Sequence, residues 1–169
     1  MKKTDYRQTY EKMTGRIRES GAACFALRAG DKAATGLIFV SYPVLLLLLA
    51  ARGEYTGLLP AVLVPGVSFF VLTALRAWIN RPRPYEAWRI DPIIKKDTKG
   101  RSLPSRHVFS SAVIAMAWLA FYPPVGIAFL FVTAAAALIR VLGGVHYPSD
   151  VAAGFAAGLL AGALLMILL

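Results

Sequence analysis

Cysteine, histidine and acid are scarce in this chain. The single cysteine, Cys24, excludes an internal disulfide, and a lone thiol in a basic segment carries no assigned role. Only two histidines occur, His107 and His146, so any imidazole chemistry rests on that pair. Nine acids stand against nineteen lysines and arginines, a net charge of +10. Such a surplus can signal nucleic acid. Here the basic residues border apolar stretches instead of forming a soluble basic face, which points away from nucleic acid and toward anionic lipid. No long-period repeat and no low-complexity linker divides the 169 residues, so the chain reads as one folded domain behind a short leading segment. Residues 1–32 are charged throughout and lack the apolar core of a secretory signal.

Hydrophobic residues, by contrast, are abundant. They make up 57% of the chain, far above the level of a soluble domain of this size. Uncharged stretches run over 33–51, 55–75 and 151–169, which is 19, 21 and 19 residues, near the ~20 that cross hydrocarbon. A fourth tract, 107–139, is too long for one span and is punctuated by Tyr122-Pro123-Pro124, so it reads as a helical hairpin. The expected fold is therefore all-α: an integral membrane bundle of about five transmembrane helices over 33–51, 57–79, 105–122, 124–142 and 148–169. Residues 1–32 form a separate basic amphipathic segment ahead of the 33–169 transmembrane domain. Within it, 4–30 is expected as a helix on the membrane surface, with Tyr6, Tyr10, Met13, Ile17 and Phe25 as its apolar stripe. Gly154, Gly158 and Gly162 recur every four residues in the last span, which suits close helix packing within the monomer or a homodimer seam.

Three polar strings interrupt the apolar chain, and the five spans bring all of them to one membrane face. Arg76 stands seven residues before Arg83, and Pro82 and Pro84 prevent a continuous helix between them. Arg76 then points from the last turn while Arg83 returns from the loop, and two planar guanidinium forks can converge on one anion. Pro104-Ser105 starts the next helix, with Ser105 as its cap and Arg106 and His107 in the first turn, where free amides and the helix dipole favour an anion. In the third string Gly143-Gly144 ends a helix after Arg140 and Pro148 begins the next, so His146 sits in the turn with Asp150 one turn on. A carboxylate there can accept from one ring nitrogen and leave the other free to attack.

These strings, Arg76-x6-Arg83-Pro84, Pro104-Ser105-x-His107 and Arg140-x5-His146-x3-Asp150, resemble the type 2 phosphatidic acid phosphatase family, which shares its phosphate site with vanadium haloperoxidases. The resemblance spans about residues 70–160 and implies a membrane lipid phosphatase. It assigns His146 as the nucleophile that forms a phosphohistidine, Asp150 as the group that orients it, and His107 as the acid for the leaving oxygen. Arg76, Arg83 and Arg140, with Ser105 and the helix amides, would hold the phosphate oxygens, and no metal or cofactor is required. Three positions depart from the family pattern: Arg76 replaces a lysine, Arg106 a glycine and Ile139 a serine. Arginine in place of glycine adds bulk and a cation, so Arg106 implies a narrower pocket or a more anionic headgroup.

The expected substrates are phosphatidic acid, phosphatidylglycerol phosphate or a polyprenyl diphosphate in the cell membrane. Two other classes compete with this reading: a noncatalytic protein that binds or translocates anionic lipid, and a metal site built from His107, His146 and Asp150. The first would lack a nucleophile or an acid, and arginine crowding opposes the second. The loop from Arg89 through Lys95, Lys96, Lys99 and Arg101 is either a solvated charge run or a collar drawing anionic lipid, with Tyr85 and Trp88 as interfacial anchors. Eighteen of the nineteen basic residues fall on the side of the three strings and only Arg52 lies opposite, which favours a cytoplasmic site.

Overall fold

The computed structural model describes residues 5–169; Lys2 and Lys3, counted above with the basic segment, lie outside the described residues. The described residues form seven helices in order: α1 (Tyr6–Glu19), α2 (Gly21–Ala51), α3 (Tyr55–Ile79), α4 (Pro84–Ala87), α5 (Arg106–Phe121), α6 (Pro123–Leu142) and α7 (Pro148–Leu168). Among the described residues there is no strand. Four helices, α2, α3, α6 and α7, are long and apolar enough to cross a membrane. Their outward faces carry bare apolar side chains such as Phe70, Trp78, Phe131 and Leu160. The protein is a multi-pass membrane protein.

The remaining apolar helix, α5, has 16 residues and every residue from Val108 to Trp118 is buried. It is the axis of the bundle, packed by α2, α3, α6 and α7. At 1.5 Å per residue it is only ~24 Å long. That length suffices because protein, not lipid, surrounds it. The three glycines of α7 make the contact with α5 possible. A Cβ on Gly154 would sit 2.5 Å from the Ser105 carbonyl oxygen, and on Gly162 2.1 Å from Met116 Cβ. The glycine stripe is thus buried against α5 inside the monomer and offers no seam to a second copy, which corrects the homodimer expectation.

The amino-terminal segment also differs from expectation. Helix α1 ends at Glu19, and Ser20 caps a second helix through its side chain, which accepts from Ala23 N at 3.2 Å. Residues 21–30 therefore belong to the first spanning helix, which at 31 residues is ~46 Å long and projects beyond a ~30 Å hydrocarbon layer. Ala-rich sequence with no proline before Pro43 continues the helix through Arg28, Asp31 and Lys32. The expected stripe is divided: Tyr10 is fully buried, while Met13 and Phe25 face outward. Tyr10 donates to the Leu142 carbonyl at 3.1 Å, and Tyr6 packs edge-on to Tyr147 at 4.9 Å. Helix α1 thus lies across the end of the bundle that holds the three polar strings. Trp88 packs on Tyr6 and Tyr85 donates to the Thr98 carbonyl, so both aromatics brace the loop against the protein.

At the opposite end, Ile38, Leu45, Leu49, Ala61, Trp118 and Leu165 form the largest buried cluster. Arg52 rests there on the Tyr122 ring at 5.3 Å, one bundle length from the other basic residues.

Candidate active site

Local backbone rules set the site's frame. Helix α3 stops where Asn80 turns left-handed at φ 43°, and Arg83 follows in extended conformation just before Pro84 opens α4. Glu86 Oε2 accepts from Arg83 N and Gly100 N, both at 2.8 Å, and pins the two arms of the loop together. Gly144, at φ +77°, reverses the chain after α6; a Cβ there would also meet the Tyr10 hydroxyl at 2.7 Å. Pro148 then starts α7 as expected. Ser105 N donates to the Asp150 carbonyl at 2.8 Å, joining the start of α5 to the first turn of α7. His107 and His146 are thereby held at one end of the bundle.

Asp150 is fully buried and surrounded by donors. Its Oδ2 accepts from Ser102 Oγ at 2.5 Å and Tyr147 N at 3.0 Å, and its Oδ1 pairs with Arg81 Nη1 at 2.7 Å. His146 Nδ1 stands 3.6 Å from Oδ2, longer than a hydrogen bond, and 3.4 Å from Ser102 Oγ. Ser102 therefore bridges the imidazole and the carboxylate. With Nδ1 carrying the proton toward this pair, Nε2 keeps its lone pair. Burial pushes the His146 pKa down to about 4, Asp150 opposes the shift, and Arg83 and Arg76 reinforce it. The ring is neutral across the physiological range.

The arginines are buried around this centre. Arg76 donates to the Pro104 and Arg101 carbonyls, so it fixes the loop as well as facing the cavity. Arg83 donates to the Gly100 carbonyl at 3.1 Å and lies 3.4 Å from the Val145 carbonyl, beside His146. Arg140, only 3% exposed, has Nε 2.8 Å from Asp31 Oδ1 on α2. That contact is an ion pair without hydrogen-bond alignment, and Arg140 Nη1 is left buried with no partner. Ser105 occupies the N-cap position of α5, yet its hydroxyl makes no cap bond and is also buried without a partner. An unpartnered buried donor is costly in a folded protein and marks a place where a ligand completes the set.

Arg76 and Arg83 share a cavity of about 420 Å³ with Asn80, Lys99, Arg101 and Arg106. Arg106 borders a second hollow as well. Its guanidinium lies over the Phe69 ring at 5.4 Å, next to His107. Of the loop's five basic residues only Lys96 is drawn out of full exposure. Lys96 is half-buried, its pKa held below the usual ammonium value by burial and then by Arg140, with Asp31 opposing. Lys95 pairs with Asp91 in solvent. Among the described residues no three His, Cys, Asp or Glu side chains gather at metal-ligand spacing.

Asp31, Arg81 and Ser102 were not legible as site residues in the sequence. Asp31 had one signal: a carboxylate two residues ahead of an uncharged span is expensive in a membrane helix unless paired. Arg81 and Ser102 had none, because their role depends on how the 81–103 loop folds back on α7.

Comparison with known proteins agrees with this architecture. Among solved structures, LpxE of Aquifex aeolicus superposes with a TM-score of 0.74 at 19% identity, over 95% of this chain and 93% of that one. A transmembrane PAP2 type phosphatidylglycerolphosphate phosphatase from Bacillus subtilis superposes with a TM-score of 0.58 at 25% identity, over 94% of this chain and 90% of that one. No curated protein sequence matches the chain. The sequence model of the PAP2 superfamily matches residues 57–169, which is more than half of the chain and includes all three polar strings; the protein belongs to the PAP2 superfamily.

Proposed function

We propose that the protein is a lipid phosphate phosphatase that works through a phosphohistidine at His146. The observation that carries the reading is the buried His146, Ser102 and Asp150 cluster beneath a rim of arginines, with an unpartnered guanidinium nitrogen and hydroxyl beside it.

In the first step the Nε2 lone pair of His146 attacks phosphorus and the bond from phosphorus to the leaving oxygen breaks. His107 gives its proton to that oxygen, and Asp150 with Ser102 holds the charge that develops on the His146 ring. Arg76, Arg83 and Arg140, the Ser105 hydroxyl and the first-turn amides of α5 hold the three equatorial oxygens, with the cationic Arg106 bordering the cavity. In the second step water attacks phosphorus, passes its proton to His107, and the phosphorus–nitrogen bond breaks to release phosphate. The group expelled first is a lipid alcohol from a monoester or a lipid monophosphate from a diphosphate. Phosphatidic acid, phosphatidylglycerol phosphate and polyprenyl diphosphate all satisfy this scheme. The scheme uses no cofactor.

The basic residues support a cell-membrane protein whose site faces the cytoplasm, since of those among the described residues only Arg52 lies at the other end. Membrane-impermeant thiol labelling of Arg52→Cys in a Cys24→Ser background, in intact cells, is expected to succeed; labelling only after lysis reverses the orientation.

The activity is tested by phosphate release from purified protein over a panel of lipid phosphates, with and without a chelator. Chelator-resistant release from at least one lipid, absent in His146→Ala, is expected. Release that survives in His146→Ala, or that a chelator abolishes, refutes the scheme.

A further inference from the structure

Three hollows adjoin one another, two between α2, α3 and α5 and the third between the end of α3, the 98–101 loop and the start of α5. The first is an apolar groove of about 330 Å³ open to the membrane side, bordered by Phe39, Val62, Phe69, Phe70 and Val113. The second, about 180 Å³, is a neck formed by Phe39, Phe69, Ser110, His107 and Arg106. The third is the cationic cup of about 420 Å³ described above. Phe39, Phe69 and Ser110 border both the groove and the neck, and Arg106 borders both the neck and the cup.

A lipid lying along this path has its order fixed. The tail fills the groove, the terminal phosphate enters the cup, and whatever links them passes between His107 and Arg106. Arg106 makes no ion pair with any acid among the described residues, and its guanidinium is laid against an aromatic face. An exposed cation held on a ring, with no anion of its own, suits an anion that arrives with the ligand. The cup also exceeds the needs of one phosphate. Lys99 and Arg101 border it in addition to the motif arginines.

We infer that Arg106, at the neck between groove and cup, forms a subsite for a second phosphate lying between the lipid tail and the scissile phosphate. The preferred substrates are then lipid diphosphates, or headgroups with a phosphodiester inside a terminal phosphomonoester, over lipids with one phosphate. The inference rests on the hydrolase reading above and narrows it. A glycine at this position would widen the neck and leave the linking group unread.

The test compares kcat/KM for a prenyl diphosphate and a prenyl monophosphate of one chain length, in the wild type, Arg106→Gly and Arg106→Lys. A charged hydrogen-bonded contact is worth about 10- to 100-fold. The wild type is expected to favour the diphosphate by about that factor. Arg106→Gly collapses the ratio to about threefold or less, whatever happens to the absolute rates, and Arg106→Lys restores part of it. A parallel pair, phosphatidylglycerol phosphate against phosphatidic acid, reads whether a glycerol spacer is accepted between the two phosphates. A wild-type ratio near one, or a ratio untouched by Arg106→Gly, overturns the subsite. Binding of a non-hydrolysable prenyl methylenediphosphonate and the matching phosphonate separates the two claims. Arg106-dependent preference for the diphosphonate without turnover of any lipid refutes the hydrolase reading and sustains the subsite, whereas equal binding refutes the subsite.

Discussion

Replacing Ser102 by alanine removes one hydroxyl and tests how the proposed nucleophile is held. Ser102 Oγ donates to Asp150 Oδ2 at 2.5 Å and stands 3.4 Å from His146 Nδ1, while the direct distance from His146 to Asp150 is 3.6 Å. The carboxylate thus reaches the imidazole chiefly through this serine. A hydrogen bond to a charged buried group contributes about 1.5–3 kcal/mol. If that stabilisation is realised as the His146 ring becomes positive, its loss lowers kcat by about 10- to 100-fold with KM little changed. The pH profile supplies an independent reading. With the bridge gone, less of Asp150's charge reaches His146, so the positive ring is less stabilised and its pKa falls. The acid limb of activity, expected near pH 4 in the wild type, then moves downward. Phosphate release in detergent from pH 3 to 8 measures both quantities, with a thermal melt to show that the variant is folded. Ser102→Thr, which retains the hydroxyl, is expected to keep most activity. A Ser102→Ala enzyme within twofold of wild type and with an unmoved acid limb would refute the bridge.

Three further outcomes follow from other contacts. Asp31→Ala leaves the buried Arg140 cation uncompensated, which costs about 3–5 kcal/mol; the fall in Tm should be partly reversed by inorganic phosphate, and a phosphate-insensitive Tm would contradict an anion site at Arg140. His146 has a folded pKa of about 4 against about 6.5 in the unfolded chain, so between these values the unfolded state binds the extra proton and stability is lost as pH falls. The loss is complete below about 4 and amounts to about 3 kcal/mol, and His146→Gln should lack it; identical pH–stability curves for the two proteins would contradict the burial argument. Gly158→Ala places a Cβ 2.5 Å from Ala112 Cβ and 2.8 Å from the Phe109 carbonyl oxygen. It should lower stability by about 1–3 kcal/mol without altering oligomeric state, whereas an unchanged Tm with loss of a dimer would restore the glycine seam.

The parts of the fold readable in the sequence are those set by local rules. Uncharged runs and the Tyr122-Pro123-Pro124 break located the helices, and Gly143, Gly144 and Pro148 located the turn that bears His146, because helix starts, stops and hydrocarbon thickness act over a few residues. Charge was a poorer guide to where a helix begins. Arg28, Asp31 and Lys32 suggested a boundary near residue 33, but a helix longer than the bilayer is thick can carry charge in its first turns, and Asp31 finds Arg140 there. The motif spacing brought His107, His146, Asp150 and the arginines to one end. It said nothing of Ser102, Arg81 or Asp31, since each meets its partner across 48, 69 or 109 residues of chain. Nor did it give the position of Arg106, whose resting place on Phe69 depends on how α3 packs beside α5.

The central claim is that His146 takes the phosphoryl group. Rapid quenching of the enzyme during turnover, followed by alkaline digestion-compatible mass spectrometry, reads it directly. Phosphate is expected on the peptide containing His146, formed at a rate no slower than kcat and lost on a chase with unlabelled substrate. Turnover with no phosphopeptide at any quench time, together with activity retained by His146→Ala, would contradict the account.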